Sequence, residues 1–277
     1  MIDLHLHTTA SDGLLAPADL VRAAHAAGLT VIAVTDHDTV AGVPDARAAA
    51  QSFGMTLVPG IEVTAVHGGR DLHILGYFVE IDDGRFAAFL ARQRADRRRR
   101  LDRMVERLAA LGAPVARPLP GETGNDATAV GRPHVARALV EAGHAASIAD
   151  AFERFVGADG PAFVPRAGAS PAETIAEIAA AGGLASLAHP GKSLSDVALI
   201  ARLIEAGLTA IEVHHPDHTS EHVAYYQGLV GDRGLLATGG SDYHGPGSGR
   251  TDALGQVTLP ARDYAALAAR AGAGRRA

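Results

Sequence analysis

Ile2-Asp3-Leu4-His5-Leu6-His7 and Thr30-Val31-Ile32-Ala33-Val34-Thr35-Asp36-His37-Asp38 are two short apolar runs separated by an alanine-rich helical stretch that starts near Pro17. The same rhythm returns at Met55 to Val58, Gly183 to Leu187, Ala210 to Val213 and Leu235 to Thr238, with further helices starting near Gly42, Pro171 and Leu194. Repeated βα units of this kind predict an α/β fold built on a parallel sheet or barrel. Pro17 and Pro171 suit a first helical turn, where a missing N–H costs little. A hairpin is expected from Ile61 to Val66 and Asp71 to Phe78, turning at Gly68-Gly69.

Between about Asp82 and Pro161 the rhythm stops, so the chain divides into a barrel domain (1–81 and 162–277) and a helical insertion (82–161) that reads as a cap. The insertion's first helix spaces Leu90, Leu101, Met104, Val105, Leu108 and Leu111 mostly three or four apart, with arginines crowding the other positions. A Pro/Gly-rich loop follows from Gly112 to Gly131. The tail from Ala271 to Ala277 is small and basic and is expected to be loose.

The chain of 277 residues has no cysteine, which excludes disulfides and thiolate metal sites and leaves imidazole and carboxylate as metal donors. A net charge of −6 argues against a protein that coats nucleic acid through overall charge. No signal-like start and no long apolar run is present, so a soluble, cytoplasmic protein is expected, with no membrane contact and no obligate protein partner.

Histidines and acids recur where strands end. His5 and His7, two apart on an extended strand, point to one face and can converge on one ion. Asp12 follows in the loop; then come Thr35-Asp36-His37-Asp38, Pro59-Gly60-Ile61-Glu62, His73-Ile74-Leu75-Gly76-Tyr77, Arg132-Pro133-His134, Ala188-His189-Pro190-Gly191-Lys192, Glu212-Val213-His214-His215-Pro216 and Ser241-Asp242-Tyr243-His244-Gly245. In parallel α/β folds the strand ends share one rim, which would bring these segments together. So many donors exceed the needs of one ion and imply two or three, with a bridging carboxylate.

These motifs, from HLH through TDHD, PGIE and HILGY to SDYHG, resemble the PHP (polymerase and histidinol phosphatase) family, and within it the group of nucleoside 3′,5′-bisphosphate phosphatases and YciV-type (RNase AM) proteins. The resemblance implies a distorted (β/α)7 barrel with a trinuclear site, commonly manganese, though iron or zinc also occurs. It assigns His5, His7 and Asp242 to one ion, Glu62 as the shared carboxylate, His73 and His134 to the second ion, and Asp12, His37 and His244 to the third. His189 falls near the third ion or the phosphate. A metal-bridged water held by Glu62, His37 and His189 would be the nucleophile. Relatives often read EVYHP where this chain has Glu212-Val213-His214-His215-Pro216, so an extra histidine stands in place of a tyrosine.

The implied activity is removal of the 3′-phosphate from nucleoside 3′,5′-bisphosphates, with 5′-to-3′ trimming of short 5′-phosphorylated oligonucleotides as a companion reaction. The alternatives are a histidinol-phosphate phosphatase or a non-catalytic metal-binding module. The arginine-rich helix is either a solvated face with ion pairs such as Asp96 with Arg100, or a phosphate clamp, since guanidinium forks bind phosphate bidentately. The substrate contacts expected are Asp12, His37, Arg99, Arg132, His134, Arg166, His189 and Lys192, the last being the chain's only lysine.

Overall fold

Seven strands form one sheet in which spatial order follows chain order: β1 (Ile2–Leu6), β2 (Val31–Val34), β3 (Thr56–His67), β4 (Arg70–Tyr77), β5 (Leu184–Leu187), β6 (Ala210–His214) and β7 (Leu236–Gly239). The computed structural model describes residues 1–119, 126–193, 197–248 and 253–274, without side chains for 192, 193 and 197. The sheet's two edges approach each other, with Leu6 bridging Tyr243 and the Ser241 amide donating to Asp3 Oδ1 at 3.0 Å, so the barrel is nearly closed. β1, β2 and the start of β3 run parallel, β4 runs antiparallel to β3 and β5, and β5, β6 and β7 are parallel again.

The antiparallel step arises at β3. Pro59-Gly60 suggests a break between a strand and a hairpin, but the strand runs straight through it. Up to Pro59 it pairs with β2, and from Gly60 onward it pairs with β4. Proline is tolerated where pairing changes partner because no ladder donor is required of it there. Gly60 is needed for close approach, since a Cβ would lie 2.9 Å from the Val34 carbonyl oxygen. Gly68 and Gly69, at φ 57° and 78°, make the two-residue turn into β4.

Helices α1 (Pro17–Ala26) and α2 (Val43–Ser52) follow the first two strands. Between β4 and the next barrel helix lie α3 (Gly84–Ala110), α4 (Arg132–Glu141) and α5 (Ile148–Ala151), the last continued by a π-helical turn, Phe152–Val156. The barrel then resumes with α6 (Pro171–Ala180), α7 (Pro190–Ser193), α8 (Val197–Glu205), α9 (Ser220–Arg233) and α10 (Ala261–Gly274). The helix start expected at Leu194 lies outside the described residues. Instead of a loose tail from Ala271, α10 continues to Gly274 and buries Leu267 and Ala271 against Ile2, Leu4 and Tyr77, an apolar contact that outweighs the tail's small, basic composition.

α3 opens at Asp83, whose carboxylate accepts from the Phe86 amide at 2.7 Å. Its two ends serve different cores. Phe86, Phe89 and Leu90 join the barrel core with Ile61, Ile74 and Ile178, whereas Leu101, Met104 and Leu108 pack with Val135, Leu139 and Val164 in a separate cluster. Between these apolar ends the helix buries a polar waist of Gln93, Asp96, Arg97 and Arg100. These lie three or four residues apart on the same face. Leu111, expected on the packed face, is instead 49% exposed.

Candidate metal centre

Alternation along β1 sends His5 and His7 into the barrel end, and both are wholly buried. β2 delivers His37 and Asp38 at its end, and the mid-strand position of Glu62 on β3 faces them: the Asp38 amide donates to the Glu62 carbonyl at 2.9 Å and the Glu62 amide to the Asp36 carbonyl at 3.2 Å. His73 comes from β4, His189 from the end of β5, and Asp242 and His244 from the segment after β7. Asp38, His189 and Asp242 hold φ at 50°, 29° and 51°, unusual for non-glycine residues and a mark of backbone over-determined by its surroundings.

Among the described residues, three groups of donor atoms converge. One is His5, His7, Glu62 and Asp242; the second is His37, Glu62 and His73; the third is His7, Asp12, His37 and His244. Glu62 joins the first two groups. Its Oε2 lies 3.4 Å from His5, 3.3 Å from His7 and 3.1 Å from His37, and its Oε1 lies 2.7 Å from His73 and 3.1 Å from His189.

Many of these atoms, including His5 Nε2, His7 Nδ1 and Nε2, His37 Nδ1 and Glu62 Oε2, are buried and make no hydrogen bond. Buried polar atoms are nearly always satisfied, so their neighbouring lone pairs must point at shared space rather than at each other. This donor set fits divalent cations: nitrogen and carboxylate oxygen, converging and dry.

Charge favours the same reading. Burial alone would raise the Glu62 and Asp12 carboxyls, but the imidazoles of His73 and His37 beside Glu62, and of His244 and His37 beside Asp12, hold both well below the usual carboxylate range. His5 and His7 are raised, His7 to about 9, because Asp242, Glu62 and, for His5, Glu212 outweigh the opposing effect of burial. Positive charge is therefore stabilised where a cation would sit, and loading must displace protons. Apparent metal affinity should rise with pH up to about 9, by roughly tenfold per unit for each proton displaced. Chelator competition between pH 6 and 9 measures this, and an affinity flat with pH would contradict it.

The outer contacts orient the donors. His5 Nδ1 meets Glu212 Oε1 at 2.9 Å, and the other oxygen of Glu212 accepts from the His189 amide at 2.7 Å. Imidazole ligands held from behind by carboxylates gain fixed tautomer and direction. Gly240 lets β7 close on this array, since a Cβ there would come within 2.6 Å of Asp3 Oδ1 and the His5 Cβ.

The sequence expectations are unevenly distributed over this geometry. His134 stands outside the three groups: its Nδ1 accepts from the Gly131 amide at 3.1 Å, its buried Nε2 has no hydrogen-bond partner, and burial together with the Arg137 charge lowers it to about 4. His189, expected near the third group or the phosphate and, with Glu62 and His37, at the bridging water, has its Nε2 3.1 Å from Glu62 Oε1. His215 was not singled out as a ligand, yet it is buried with Nε2 3.5 Å from Asp242 Oδ2. Its signal in the sequence is its place just past a strand end, in the run Glu212-Val213-His214-His215-Pro216. His214, the added histidine, joins none of the groups.

The arginines divide as well. Arg166 is sequestered, 3.1 Å from Asp38 Oδ2 and 3.4 Å from Asp96 Oδ2, with its side chain fully buried. Arg99 is mostly exposed beside Asp96 at 3.5 Å, while Arg100, expected to pair with Asp96, turns to Asp71 at 3.1 Å. Arg132 lies 3.4 Å from Asp71 and within 5.8 Å of the ring centres of Phe152 and Phe163. The side chain of Lys192 lies outside the described residues.

The PHP domain profile matches residues 3–78. The chain is 33% identical over 265 residues to the 3′,5′-nucleoside bisphosphate phosphatase of Chromobacterium violaceum, covering 94% of this chain and 92% of that protein. It is 35% identical over 251 residues to the 5′-3′ exoribonuclease Rnm of Escherichia coli, covering 88% and 85%. A crystal structure of a candidate metal-dependent phosphoesterase from Bifidobacterium adolescentis superposes with a TM-score of 0.87 at 33% identity, covering 97% of this chain and 96% of that one.

Proposed function

This chain belongs to the PHP family of metal-dependent phosphoesterases, and from that premise we propose that it removes the 3′-phosphate of nucleoside 3′,5′-bisphosphates and, at the same site, trims short 5′-phosphorylated oligonucleotides from the 5′ end. The observation that carries this reading is the meeting of three donor groups, two of which share Glu62, together with the Arg132 and His134 of the insertion. A simple monoester phosphatase needs only the first feature.

In this reading the site holds two to three ions, manganese first, with iron or zinc as alternatives. Bound divalent ions supply a strong nucleophile at neutral pH and neutralise the phosphoryl oxygens. His5, His7 and Asp242 serve one ion, with Glu62 shared; His73, Glu62 and His189, in place of His134, serve the second; Asp12, His37 and His244 serve the third. His134, neutral and with an unpartnered buried Nε2–H, donates to a substrate oxygen. Arg132, aimed by Asp71, binds the second phosphate, which is the group that distinguishes a bisphosphate from other monoesters. Residues 82–161 act as the cap that carries these substrate contacts over the barrel of 1–81 and 162–277. No helix among the described residues is long and apolar enough to cross a membrane, and a cytoplasmic nucleotide enzyme is the matching location.

Phosphate release by the manganese-loaded protein from adenosine 3′,5′-bisphosphate and from histidinol phosphate tests the proposal. The bisphosphate should be preferred by at least about tenfold in kcat/KM, the worth of one added charge-assisted contact. No release from the bisphosphate, or preference for histidinol phosphate, would overturn it.

A further inference from the structure

Beside the third donor group the structure has a cavity of about 180 Å³. Asp12 and His244 form its metal-ward wall, Pro133, Arg137, Ile148, Ala149 and Phe152 of the insertion form the opposite side, and Ser248 completes the lining. Whole-ligand sites typically span about 300–1,000 Å³, so this cavity suits one part of a ligand whose remainder lies elsewhere. The part nearest the donors is the wall shared with them. A phosphate held on the ions would leave the rest of its nucleotide beside this opening.

The lining indicates what that part is. Apolar side chains and one aromatic ring provide a flat, dry contact, and Arg137 adds a cation whose Nη1 is tied to the Asp12 carbonyl at 3.2 Å. Phe152 begins the π-helical turn, a local distortion often found at functional sites because it re-aims a side chain. The guanidinium of Arg132 sits 5.8 Å from its ring centre, and Arg132 is itself fixed by Asp71, so the ring is held in place before any ligand arrives.

We propose that this cavity is a nucleobase subsite, in which a base stacks on Phe152 with its edge toward Arg137. The inference rests on the nucleotide reading of the metal centre. A stacking wall of hydrocarbon with one guanidinium and one serine, Ser248, offers too few polar groups to read a base's whole hydrogen-bonding edge, so the subsite accepts purines and pyrimidines alike. That tolerance is what an enzyme working along an oligonucleotide of any sequence requires.

Kinetics with four substrates test it: adenosine 3′,5′-bisphosphate, cytidine 3′,5′-bisphosphate, the base-free ribose 3,5-bisphosphate, and p-nitrophenyl phosphate. Phe152→Leu keeps the apolar bulk that packs in the insertion but removes the π-face; Phe152→Tyr keeps both. Phe152→Leu should raise KM for both nucleoside bisphosphates on the order of tenfold, leave KM for the base-free bisphosphate and p-nitrophenyl phosphate unchanged, and be rescued in Phe152→Tyr. An unchanged KM for the nucleosides, or an equal rise for the base-free compound, overturns the subsite while leaving the phosphatase reading intact. A wild-type protein that hydrolyses p-nitrophenyl phosphate but neither nucleoside bisphosphate overturns both.

Discussion

Glu62→Gln should lower kcat on the order of 10³-fold or more and release at least one equivalent of bound metal per chain. The change is isosteric, so packing around this fully buried position is preserved. What is lost is a negative charge touching five imidazoles: those of His5, His7 and His37 through one oxygen, and of His73 and His189 through the other. A neutral amide turns two N–H groups toward the same space and cannot join two cations. Losing a single preorganised donor to a transition state already costs about 10²–10³, and here two donor groups lose their shared member. Elemental analysis of the purified variant together with kcat measures the effect. Full metal content with more than a tenth of the activity would refute the bridging role. His134→Ala, altered outside the three groups, should keep its metal and provides the control.

The second large effect concerns stability. Asp38 is fully buried at the end of β2 and its Oδ2 lies 2.5 Å from Arg97 Nε and 3.1 Å from Arg166 Nη1, while its Oδ1 accepts from the Thr64 amide at 2.9 Å. Arg97 also donates to the Thr64 hydroxyl at 2.7 Å. Removing one partner of a buried ion pair costs about 3–5 kcal/mol because a charge is left uncompensated. With Arg166 still facing Asp38, Arg97→Met should cost about 3 kcal/mol, a fall in Tm on the order of 10 °C for a chain of this size. The double variant Arg97→Met with Asp38→Asn should recover part of the loss. A melting curve unchanged within a degree would refute the argument.

The same carboxylate gives the pH dependence its sign. Burial would raise Asp38, but Arg97 and Arg166 more than reverse this and depress it far below its ordinary 3.8. A depressed carboxyl stabilises the fold fully above that ordinary value and loses its contribution as pH falls toward the folded value. The Asp38→Asn variant should therefore show less change in stability between pH 5 and pH 2 than the parent protein.

How much of this was legible in the sequence depends on which physical signal each residue carries. The convergence of His5 and His7 follows from period-two alternation on a strand, and the distant motifs could be gathered because parallel strands share a rim. His134 and His189 were not separable in that way, since both precede or follow proline at an element boundary and only the folded chain shows which of them reaches Glu62. The continuity of β3 was hidden because Pro59-Gly60 is punctuation in a chain read alone, whereas a change of pairing partner makes it harmless.

The arginines illustrate a different limit. Periodicity counts Arg97 and Arg100 as polar and assigns them to water. Their partners, Asp38, Asp71 and the Val164 carbonyl, come from three other parts of the chain. A signal was nonetheless present: Gln93, Arg97 and Arg100 continue the same stripe as Leu90, Leu101, Met104 and Leu108, so the helix's packed face was interrupted by polar residues rather than ended by them.

That interruption gives α3 an exact seat on the barrel. A helix docked by phenylalanine and leucine alone could slide by one turn, about 5.4 Å, and find comparable contacts, because greasy surfaces discriminate poorly between neighbouring registers. Charged groups in a dry seam tolerate no such slip: a displaced helix would pull Arg97 away from Asp38 and Asp96 away from Arg166. The seam thus works as a locating key, fixing the distance between the floor where ester bonds are cleaved and the wall against which the rest of the substrate leans.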